Sequence, residues 1–388
     1  MTRVLLVGDR SDRGFAALRT RHFAAALDGF AVEVVDWREP GSVGDYDLVV
    51  SASNYGPTRV ATRLAGDDHP LWIDVAGDPF AEAQLVGGQA AAAEALATWG
   101  PALARADAFS VVCEPGAHAL IGALGATGRL PLLPPGNEGV NLMPVAMDFP
   151  DPPGPPREPG TTVALVGGFN TWFDDETLAA ALLLAMDEGD IRCVVTGGPI
   201  EGHYTAGYAR FRESMSRHSS RFIFHEWLPH EQLAEALAPA HLLVTLDRPG
   251  PEAALGSRTR LLYGLHQGLR VVTTGGSPLA RKLARDGLAT LVPMAHEVGR
   301  EVAARALARE ILSPRAAPPV DALRSRLSVA ATTAPLRTWA LNPVVRPRVA
   351  TPFAPILAER DALRAELEAL RGSVSYRWLD WARRGRRR

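Results

Sequence analysis

The chain has 388 residues, 47% of them hydrophobic and 22% charged, and its formal net charge is −2 at pH 7. This length fits two ordinary domains better than one, and the apolar fraction is large enough for sizeable cores. Because the charge is nearly balanced, the chain lacks the basic field of many nucleic-acid-binding proteins, and we expect no nucleic-acid partner.

From the N-terminus onwards, short β-branched runs alternate with segments of helix length. The predicted strands cover residues 3–8, 31–37, 47–53, 71–77 and 108–113. Helix-length segments such as 17–29 and 82–99 lie between most of these strands. Alternation of this kind predicts βαβ units and a parallel sheet. Residues 1–150 are therefore expected to form an N-terminal Rossmann-like domain.

A proline-rich segment, residues 151–160, interrupts the alternation and is expected to be an extended linker, since it can hold neither helix nor strand. The alternation then resumes, and residues 161–335 are expected to form a second Rossmann-like domain. Its predicted strands cover 161–168, 191–198, 221–227, 241–247 and 269–276, and its predicted helices cover 175–188, 206–218, 230–238 and 258–267. The predicted fold class is α/β, with two tandem Rossmann-like domains facing a cleft. Ligands of such sheets bind at the carboxyl ends of the strands, so the cleft is the expected site.

Residues 336–388 form a C-terminal extension with a different pattern. Apolar residues with heptad-like spacing predict an amphipathic helix that is shorter than the three to four heptads of a confident coiled coil. These residues are Ile356, Leu363, Leu367, Leu370 and Val374. The segment that starts at Tyr376 and ends at Arg388 (residues 376–388) combines tryptophan with arginine, which suits an anionic membrane surface. The alternative is a helix docked on its own protein with a frayed basic end.

Cysteine usage and apolar runs bear on the compartment. Only Cys113 and Cys193 are present, so no disulfide framework is implied and a reducing compartment is the default. The first 14 residues enter a strand pattern at once and lack the longer apolar run of a signal peptide. The most apolar run, residues 178–186, is too short to cross a bilayer. We therefore expect a cytoplasmic protein, with membrane association limited to the C-terminal tail.

Glycine pairs end three strands of the second predicted domain, at Gly168, Gly198 and Gly275. Glycine lets a ligand approach the backbone closely, and a helix start after such a turn favours anions. None of the three turns matches GxGxxG or the P-loop, and any single one could be an ordinary turn. Three together indicate a phosphate-bearing ligand. The expected ligand-binding residues in and after these turns are Gly167, Gly168, Phe169, Asn170, Gly198, His203 and Gly275. For His203 the alternative is an ordinary surface histidine.

Two arginines, Arg258 and Arg260, stand at the start of the helix predicted after Gly256. With Ser257 as its N-cap, both lie where the helix dipole is already positive, which costs about 0.3–1 kcal/mol per exposed residue. On a helical wheel, Arg258 falls over the buried leucine stripe and Arg260 nearly opposite, away from the core of its domain and either into solvent or across the cleft. A diphosphate would resolve the conflict, because free helix N–H groups and a guanidinium both favour phosphate oxygens. The alternative is a structural pair of Arg258 with Glu252 and a solvated Arg260.

The first predicted domain offers weaker candidates. Asp74 and Asp78 follow a strand and could act as a base or bind a hydroxyl group, although helix or turn capping explains them equally well. Gly14 lies in the first strand–helix turn and is expected on the same acceptor side. The sequence Asp45-Tyr46-Asp47 resembles a metal-binding DxD motif, but it precedes its strand. No other spacing suggests metal ligands, and we predict no metal site.

Over roughly residues 1–335, the chain resembles a GT-B-fold glycosyltransferase of the broad family-4-like group. The resemblance rests on the tandem architecture and on four segments, residues 19–37, 163–182, 228–246 and 262–274. Within the group it is most similar to bacterial enzymes with an Arg-Thr-Arg sequence before the helix that ends in glycine. The resemblance implies a nucleoside-diphosphate sugar as substrate, no separate cofactor, and transfer with retention of the anomeric configuration without a metal. It also implies a role in cell-surface polysaccharide or secondary-metabolite pathways.

The chain departs from the family at two glutamates that are usually eight positions apart. Counted back from Gly268, their places fall on Leu255 and Tyr263; counted from Glu252, the second falls on Arg260. The second glutamate, which in the family holds the nucleotide ribose, is absent either way. The basic residues that usually follow the first glycine loop are absent too, which leaves the two arginines as the best phosphate ligands.

The leading hypothesis is a glycosyltransferase that uses a nucleoside-diphosphate sugar and an unidentified acceptor. Arg258, Arg260 and backbone groups at the glycine turns would neutralise the leaving diphosphate, with Ser257 and Thr259 beside it. Glu252 would orient sugar hydroxyls, and Asp78 would be the base of an inverting reaction. The alternatives are an inactive glycosyltransferase-like binding or partner subunit and a GT-B-like nucleotide-sugar epimerase. The sequence carries no information on the oligomeric state.

Overall fold

The computed structural model describes residues 1–42, 44–130, 139–152, 160–199, 205–347 and 354–373. Two six-stranded sheets, each parallel throughout, dominate the structure, and helices connect their strands. This arrangement confirms the predicted α/β fold class with two Rossmann-like units and a helical C-terminal extension. Most of the predicted linker and the whole segment 376–388 lie outside the described residues.

The first sheet is built from strands in the N-terminal half of the chain. They are β1 (Arg3–Gly8), β2 (Ala31–Asp36), β3 (Leu48–Ser51), β4 (Leu71–Val75), β5 (Ala108–Val111) and β6 (Val140–Leu142). The helices are α1 (Gly14–Ala26), α2 (Gly56–Ala65), α3 (Pro79–Arg105) and α4 (Glu114–Ala126). The strand order is β2-β1-β3-β4-β5-β6. The central strands are continuous apolar runs because a parallel sheet is covered by helices on both faces.

The second sheet is built from strands that follow residue 160. They are β7 (Thr161–Gly168), β8 (Ile191–Gly198), β9 (Phe222–Phe224), β10 (Leu242–Thr245), β11 (Arg270–Thr274) and β12 (Thr290–Val292). The helices are α5 (Asp175–Glu188), α6 (Ala206–Ser214), α7 (His230–Leu237), α8 (Pro251–Leu255), α9 (Thr259–His266), α10 (Pro278–Arg285), α11 (Ala295–Val298) and α12 (Arg300–Leu312), with a 3₁₀ segment at Ser216–Arg221. The strand order is β12-β11-β10-β7-β8-β9. The order therefore reverses between β7 and β10, which is where a doubly wound sheet opens a crevice.

The chain returns to the first sheet after α12. Helices α13 (Asp321–Arg326) and α14 (Val329–Leu341) follow, and α15 (Ala354–Gly372) is the last described helix. Helix α14 packs on α1, where Leu336 is fully buried and the ring of Trp339 lies 5.4 Å from that of Trp72. Residues up to Leu341 therefore tie the second half of the chain to the core of the first.

Two local predictions near the expected site need correction. Residues 251–255, which lie outside every predicted strand and helix, form the short helix α8, because Pro251 suits the first position of a helix. Helix α9 begins at Thr259 rather than at Arg258, whose backbone has left-handed dihedral angles (φ 45°, ψ 45°). Asp174 caps α5, where its Oδ1 accepts a hydrogen bond from the Thr177 backbone nitrogen at 3.2 Å.

Candidate functional site

A cleft of about 520 Å³ lies between the two halves of the molecule. One wall consists of residues that follow β1, β3 and β4, and the other of residues that follow β7, β8, β9 and β10. Hydrogen bonds join the walls: the backbone nitrogen of His230 donates to the Asp12 carbonyl at 3.0 Å, and Cys113 Sγ donates to the Leu255 carbonyl at 3.3 Å. The carboxyl ends of both sheets thus meet at one enclosed site.

Backbone strain is concentrated at this cleft. Among the described non-glycine residues, only Ser53 (φ 83°), Tyr55 (φ 53°) and Arg258 (φ 45°) have a positive φ, and all three line the cleft. Such conformations cost of order 1–3 kcal/mol each and persist where the surroundings hold them, commonly at ligand sites. The Ser53 backbone nitrogen, for example, donates to the buried carboxylate of Asp74 at 3.2 Å.

Arg258 is held by two carboxylates of its own half of the chain. Its Nε donates to Asp247 Oδ2 at 2.7 Å and its Nη1 to Glu252 Oε1 at 3.4 Å, and the residue is only 6% exposed. Gly256 makes room for this arrangement, because an added Cβ would lie 2.3 Å from Glu252 Oε1. The Nη2 group of Arg258 has no hydrogen-bond partner among the described residues. Arg258 is therefore a paired, buried arginine with one donor group left over.

Arg260 lies at the crevice where the strand order of the second sheet reverses. Its Nη2 donates to the Gly168 carbonyl at the end of β7, and its Nη1 to Thr245 Oγ1 at the end of β10, both at 3.4 Å. No carboxylate among the described residues forms an ion pair with it. Burial lowers its pKa to about 10, with Asp247 opposing the change, so the group stays charged at neutral pH. Arg260 is the cation of the cleft whose charge is not paired.

Arg260 lines the cleft, which is one of the two places expected for a side chain directed away from the core of its own half. Side chains of a helix lean towards its N-terminus, so a long side chain in the first turn of α9 reaches back over the strand ends. The guanidinium accordingly lies beside the glycine turn, 3.7 Å from the place where a Cβ on Gly167 would be.

The glycine turns after β7 and β8 come into direct contact. Gly167 (φ 92°) and Gly197 (φ 101°) both line the cleft, and a Cβ on Gly197 would lie 2.5 Å from the Gly167 carbonyl oxygen. Glycine is therefore required at position 197 by the backbone conformation and by the space. Neither glycine carries a side chain that would cover its backbone on the cleft side, and this would let a ligand with phosphate oxygens approach closely.

Several buried polar atoms at the cleft lack a hydrogen-bond partner among the described residues. They are Asn170 Oδ1, Thr196 Oγ1, His230 Nδ1, Glu252 Oε2 and Arg258 Nη2. Buried polar atoms are nearly always satisfied in folded proteins, and each exception calls for a partner such as water or a ligand. Neutral, anionic and cationic side chains thus offer free donors and acceptors at one place. This is the pattern of a site for a polar, multiply hydroxylated or phosphorylated molecule.

Glu252 belongs to the second wall, and its carboxylate reaches the first wall. Its carboxylate lies beside Gly77 of the first wall, where a Cβ would be 3.5 Å from Oε2. Burial raises the pKa of Glu252 to about 7; Arg258 opposes the rise, whereas Glu82 and Asp247 add to it. A carboxyl group poised near neutral pH can donate or accept a hydrogen bond, and such groups cluster at functional sites.

The two aspartates expected on the acceptor side do not face the cleft. Asp74 is fully buried, where Oδ1 accepts from Arg19 Nη2 at 2.8 Å and Oδ2 from Arg19 Nε at 2.9 Å. Asp78 caps α3, its Oδ1 accepting from the Ala81 backbone nitrogen at 2.7 Å. Asp74 therefore holds the backbone at Ser53 through a hydrogen bond, and Asp78 serves as a helix cap beside the site.

The remaining sequence-predicted residues divide into two groups. Those that line the cleft are Gly14, Gly167, Gly168, Asn170, Glu252, Ser257, Arg258, Thr259 and Arg260. Those that are described but do not line it are Asp74, Asp78, Phe169, Gly198 and Gly275. Phe169 packs in the core against Phe173 and Phe211, and the Gly275 carbonyl accepts from Arg281 at 2.6 Å. His203 lies outside the described residues.

The structure also brings in residues that sequence reasoning missed. Asp247, the partner of Arg258, ends a predicted strand, and the strand-end rule used for the glycine turns would have found it. Asn54, Tyr55 and Glu82 of the first half and Trp172 of the second also line the cleft. These four carry no motif, and only the fold places them together.

No group of three or more histidine, cysteine, aspartate or glutamate side chains is arranged to hold a metal ion in the described part of the chain. No helix within the described ranges has the length and apolar character needed to cross a bilayer.

The geometry matches that of solved two-domain proteins. Sucrose-phosphate synthase from Thermosynechococcus elongatus superposes with a TM-score of 0.58 at 16% identity, covering 95% of this chain and all of that one. HepE from Anabaena, in complex with UDP and glucose, gives 0.54 at 13% identity, with 94% and 100% covered. AviGT4, a glycosyltransferase involved in avilamycin A biosynthesis, gives 0.53 at 15% identity, with 89% and 100% covered.

These comparisons establish the fold. The chain has the GT-B architecture of its structural neighbours, with two six-stranded parallel sheets over a shared cleft. No protein-family model matches the chain, and no curated protein is significantly similar to it in sequence. At such low identities, a role for the cleft has to be argued from its own residues.

Proposed function

We propose that this protein is a glycosyltransferase that moves a sugar from a nucleoside-diphosphate sugar, bound in the cleft, to an acceptor. The observation that carries the proposal is the placement of Arg260. An arginine without a carboxylate partner among the described residues lies at the β7–β10 crevice, beside a bare glycine turn and the start of α9. The neighbour HepE, solved with UDP and glucose, supports a nucleotide-sugar ligand for this architecture.

The proposed diphosphate site has three parts. Arg260 supplies a charged donor, the free Nη2 of Arg258 supplies a second, and the first N–H groups of α9 supply neutral donors. When the bond between sugar and diphosphate breaks, negative charge accumulates on the leaving group. Donors that are fixed beforehand in a partly dry cleft stabilise that charge at no reorganisation cost.

Glu252 is proposed to hold the sugar. Its Oε2 has no partner among the described residues, and with a pKa of about 7 it can donate to or accept from a sugar hydroxyl. The first wall is proposed to bind the acceptor, with Asn54 and Glu82 as its polar residues. Retention of configuration without a metal is proposed on the family resemblance alone.

The direct test is a titration with a panel of nucleoside diphosphates, followed by calorimetry and thermal shift. At least one of them should release heat and raise the melting temperature, because a ligand that binds only the folded state stabilises it. The matching sugar donor should then be turned over slowly even without acceptor, by hydrolysis. If no nucleoside diphosphate binds at millimolar concentration, the proposal is wrong.

A second candidate is a protein that binds a nucleotide sugar without transferring the sugar. The pairing of Arg258 with Asp247 and Glu252 favours it, because that arginine is partly withdrawn from any phosphate. Binding of a donor that is never hydrolysed or transferred, across a panel of acceptors, would select this candidate over the transferase.

Contact with a membrane surface is a separate proposal for residues 376–388. Two tryptophans and six arginines in this segment suit the headgroup region of an anionic bilayer. Deletion of the segment should reduce sedimentation with vesicles that contain anionic lipid and leave nucleotide binding unchanged. Equal sedimentation of both proteins would contradict it.

A further inference from the structure

The last described helix, α15, presents an apolar face that the rest of the described chain does not cover. Four apolar side chains form this face: Ile356 is 63% exposed, Leu363 58%, Leu367 45% and Leu370 55%. An exposed ion pair, Arg364 Nη2 to Glu94 Oε2 at 3.2 Å, joins α15 to α3. Exposed pairs of this kind contribute little, so they do not fix the helix on the protein.

The spacing of these residues follows a heptad with one polar position. Ile356, Leu363 and Leu370 occupy d positions seven residues apart, and Leu367 occupies an a position. The remaining a position within the helix is Arg360. A polar residue at a single a position fixes the register and the number of strands in coiled coils, at some loss of stability.

The charges that flank this seam identify the partner. In the same heptad, the g positions are Glu359 and Glu366, and the e positions that follow them are Arg364 and Arg371; the first e position is Leu357. Two copies of α15 in parallel place each g residue opposite the e residue of the next heptad, so every flanking contact joins glutamate to arginine. An antiparallel pair would oppose glutamate to glutamate and arginine to arginine. Neither glutamate has an ion-pair partner among the described residues, so both are available.

We propose that α15 mediates self-association of this chain as a parallel, two-stranded coiled coil. The seam buries the four exposed apolar side chains of each copy, and the glutamate–arginine contacts set the orientation. A helix of 19 residues is about 28 Å long, which makes this a short coiled coil and therefore a dimer that dissociates on dilution. The inference is independent of the proposed sugar transfer.

Sedimentation velocity of the full chain over a concentration series tests the proposal. The expected result is a monomer–dimer equilibrium, which the double variant Leu363→Glu and Leu367→Glu shifts to monomer at every concentration. Because both side chains are exposed, the melting temperature of this variant should equal that of the wild type. The matched control, Glu368→Gln, lies outside the seam and should leave the equilibrium unchanged.

Charge reversal tests the partner and a cysteine tests the orientation. Glu359→Arg with Glu366→Arg should abolish the dimer, and adding Arg364→Glu and Arg371→Glu should restore it. Leu370→Cys should form a disulfide between two copies under mild oxidation, since parallel d residues face their equivalents, whereas the wild type should not. A monomer at all concentrations, a dimer that survives the seam variant, or binding of α15 only to anionic vesicles would overturn the proposal.

Discussion

Arg258 and Arg260 are two positions apart, and replacing each by alanine should have opposite effects on stability and binding. Arg258 is buried against Asp247 and Glu252, whereas Arg260 hydrogen-bonds to a carbonyl and a hydroxyl, both at 3.4 Å, and lies 5.7 Å from the centre of the Phe173 ring. Arg258→Ala therefore removes the charge that two buried carboxylates depend on. Arg260→Ala removes weak contacts to neutral groups and leaves no charge uncompensated.

The expected magnitudes follow from these contacts. Removing one partner of a buried ion pair costs about 3–5 kcal/mol, so Arg258→Ala should lower the melting temperature by many degrees. Long hydrogen bonds between an arginine and neutral groups contribute about 1 kcal/mol or less, so Arg260→Ala should fold nearly as well as the wild type. A charged hydrogen bond to phosphate contributes about 1.5–3 kcal/mol, so the same variant should bind nucleoside diphosphate roughly 10- to 150-fold more weakly.

Thermal unfolding and calorimetric titration measure the two effects separately. Arg281→Ala is the matched control, because this exposed arginine also donates to a carbonyl, that of Gly275, but lies outside the cleft. The control should change neither quantity. Undiminished nucleotide binding by Arg260→Ala, or wild-type stability of Arg258→Ala, would refute the assignment of one arginine to the ligand and the other to the scaffold.

Three further predictions concern the walls of the cleft. Burial raises the pKa of Glu252 from the ordinary 4.5 to about 7, so this residue should lower the free energy of unfolding by about 3 kcal/mol as pH rises from 4.5 to 7. Chemical unfolding of the wild type and Glu252→Gln at pH 5 and pH 8 measures this effect, and the variant should lack the decrease. The same pH dependence in both proteins would contradict the prediction. Gly197→Ala should destabilise the protein and weaken nucleotide binding, since its Cβ would meet the Gly167 carbonyl oxygen. The control is Gly122→Ala, at a helical position with open space around it, which should be neutral or stabilising by about 0.5–1 kcal/mol. Asp74→Asn should lower stability by about 3–5 kcal/mol yet leave nucleotide affinity measured well below the melting temperature within a few-fold; a selective loss of affinity would mean that Asp74 contacts the ligand.

The strand ends that could be predicted best are those marked by glycine. The predicted bounds of β1, β7 and β8 agree with the structure at both ends, and each of these strands ends at a glycine. Strands β6 and β12 were not predicted; each has only three residues and lies at the edge of its sheet. Strand β9, equally short and also at an edge, was predicted four residues too long. A short edge strand has too few residues to give a clear sequence pattern.

The site was less predictable because its geometry depends on contacts between distant residues. The left-handed backbone of Arg258 occurs together with its ion pair to Asp247 and the space left by Gly256, which no local propensity expresses. A wheel drawn from the sequence starts the helix one residue early, at Arg258, and leaves open whether Arg260 points into solvent or into the cleft. The glycine turns after β7 and β8 were identified from sequence, whereas the first wall, with Asn54, was not, since its residues share no motif.

Two arginines lie at the start of α9, where the helix dipole is already positive. The charge of one of them is neutralised by carboxylates, and the charge of the other is not. Arg258 lies just before the helix, and two carboxylates neutralise its charge. Arg260 lies in the first turn, where its own charge and the helix dipole both place positive potential at the Gly167–Gly168 turn. Burial lowers the pKa of Arg260, as it does for a cation held without a counter-ion, and Asp247 opposes the change. An anion at the turn, as we propose, would offset part of this cost.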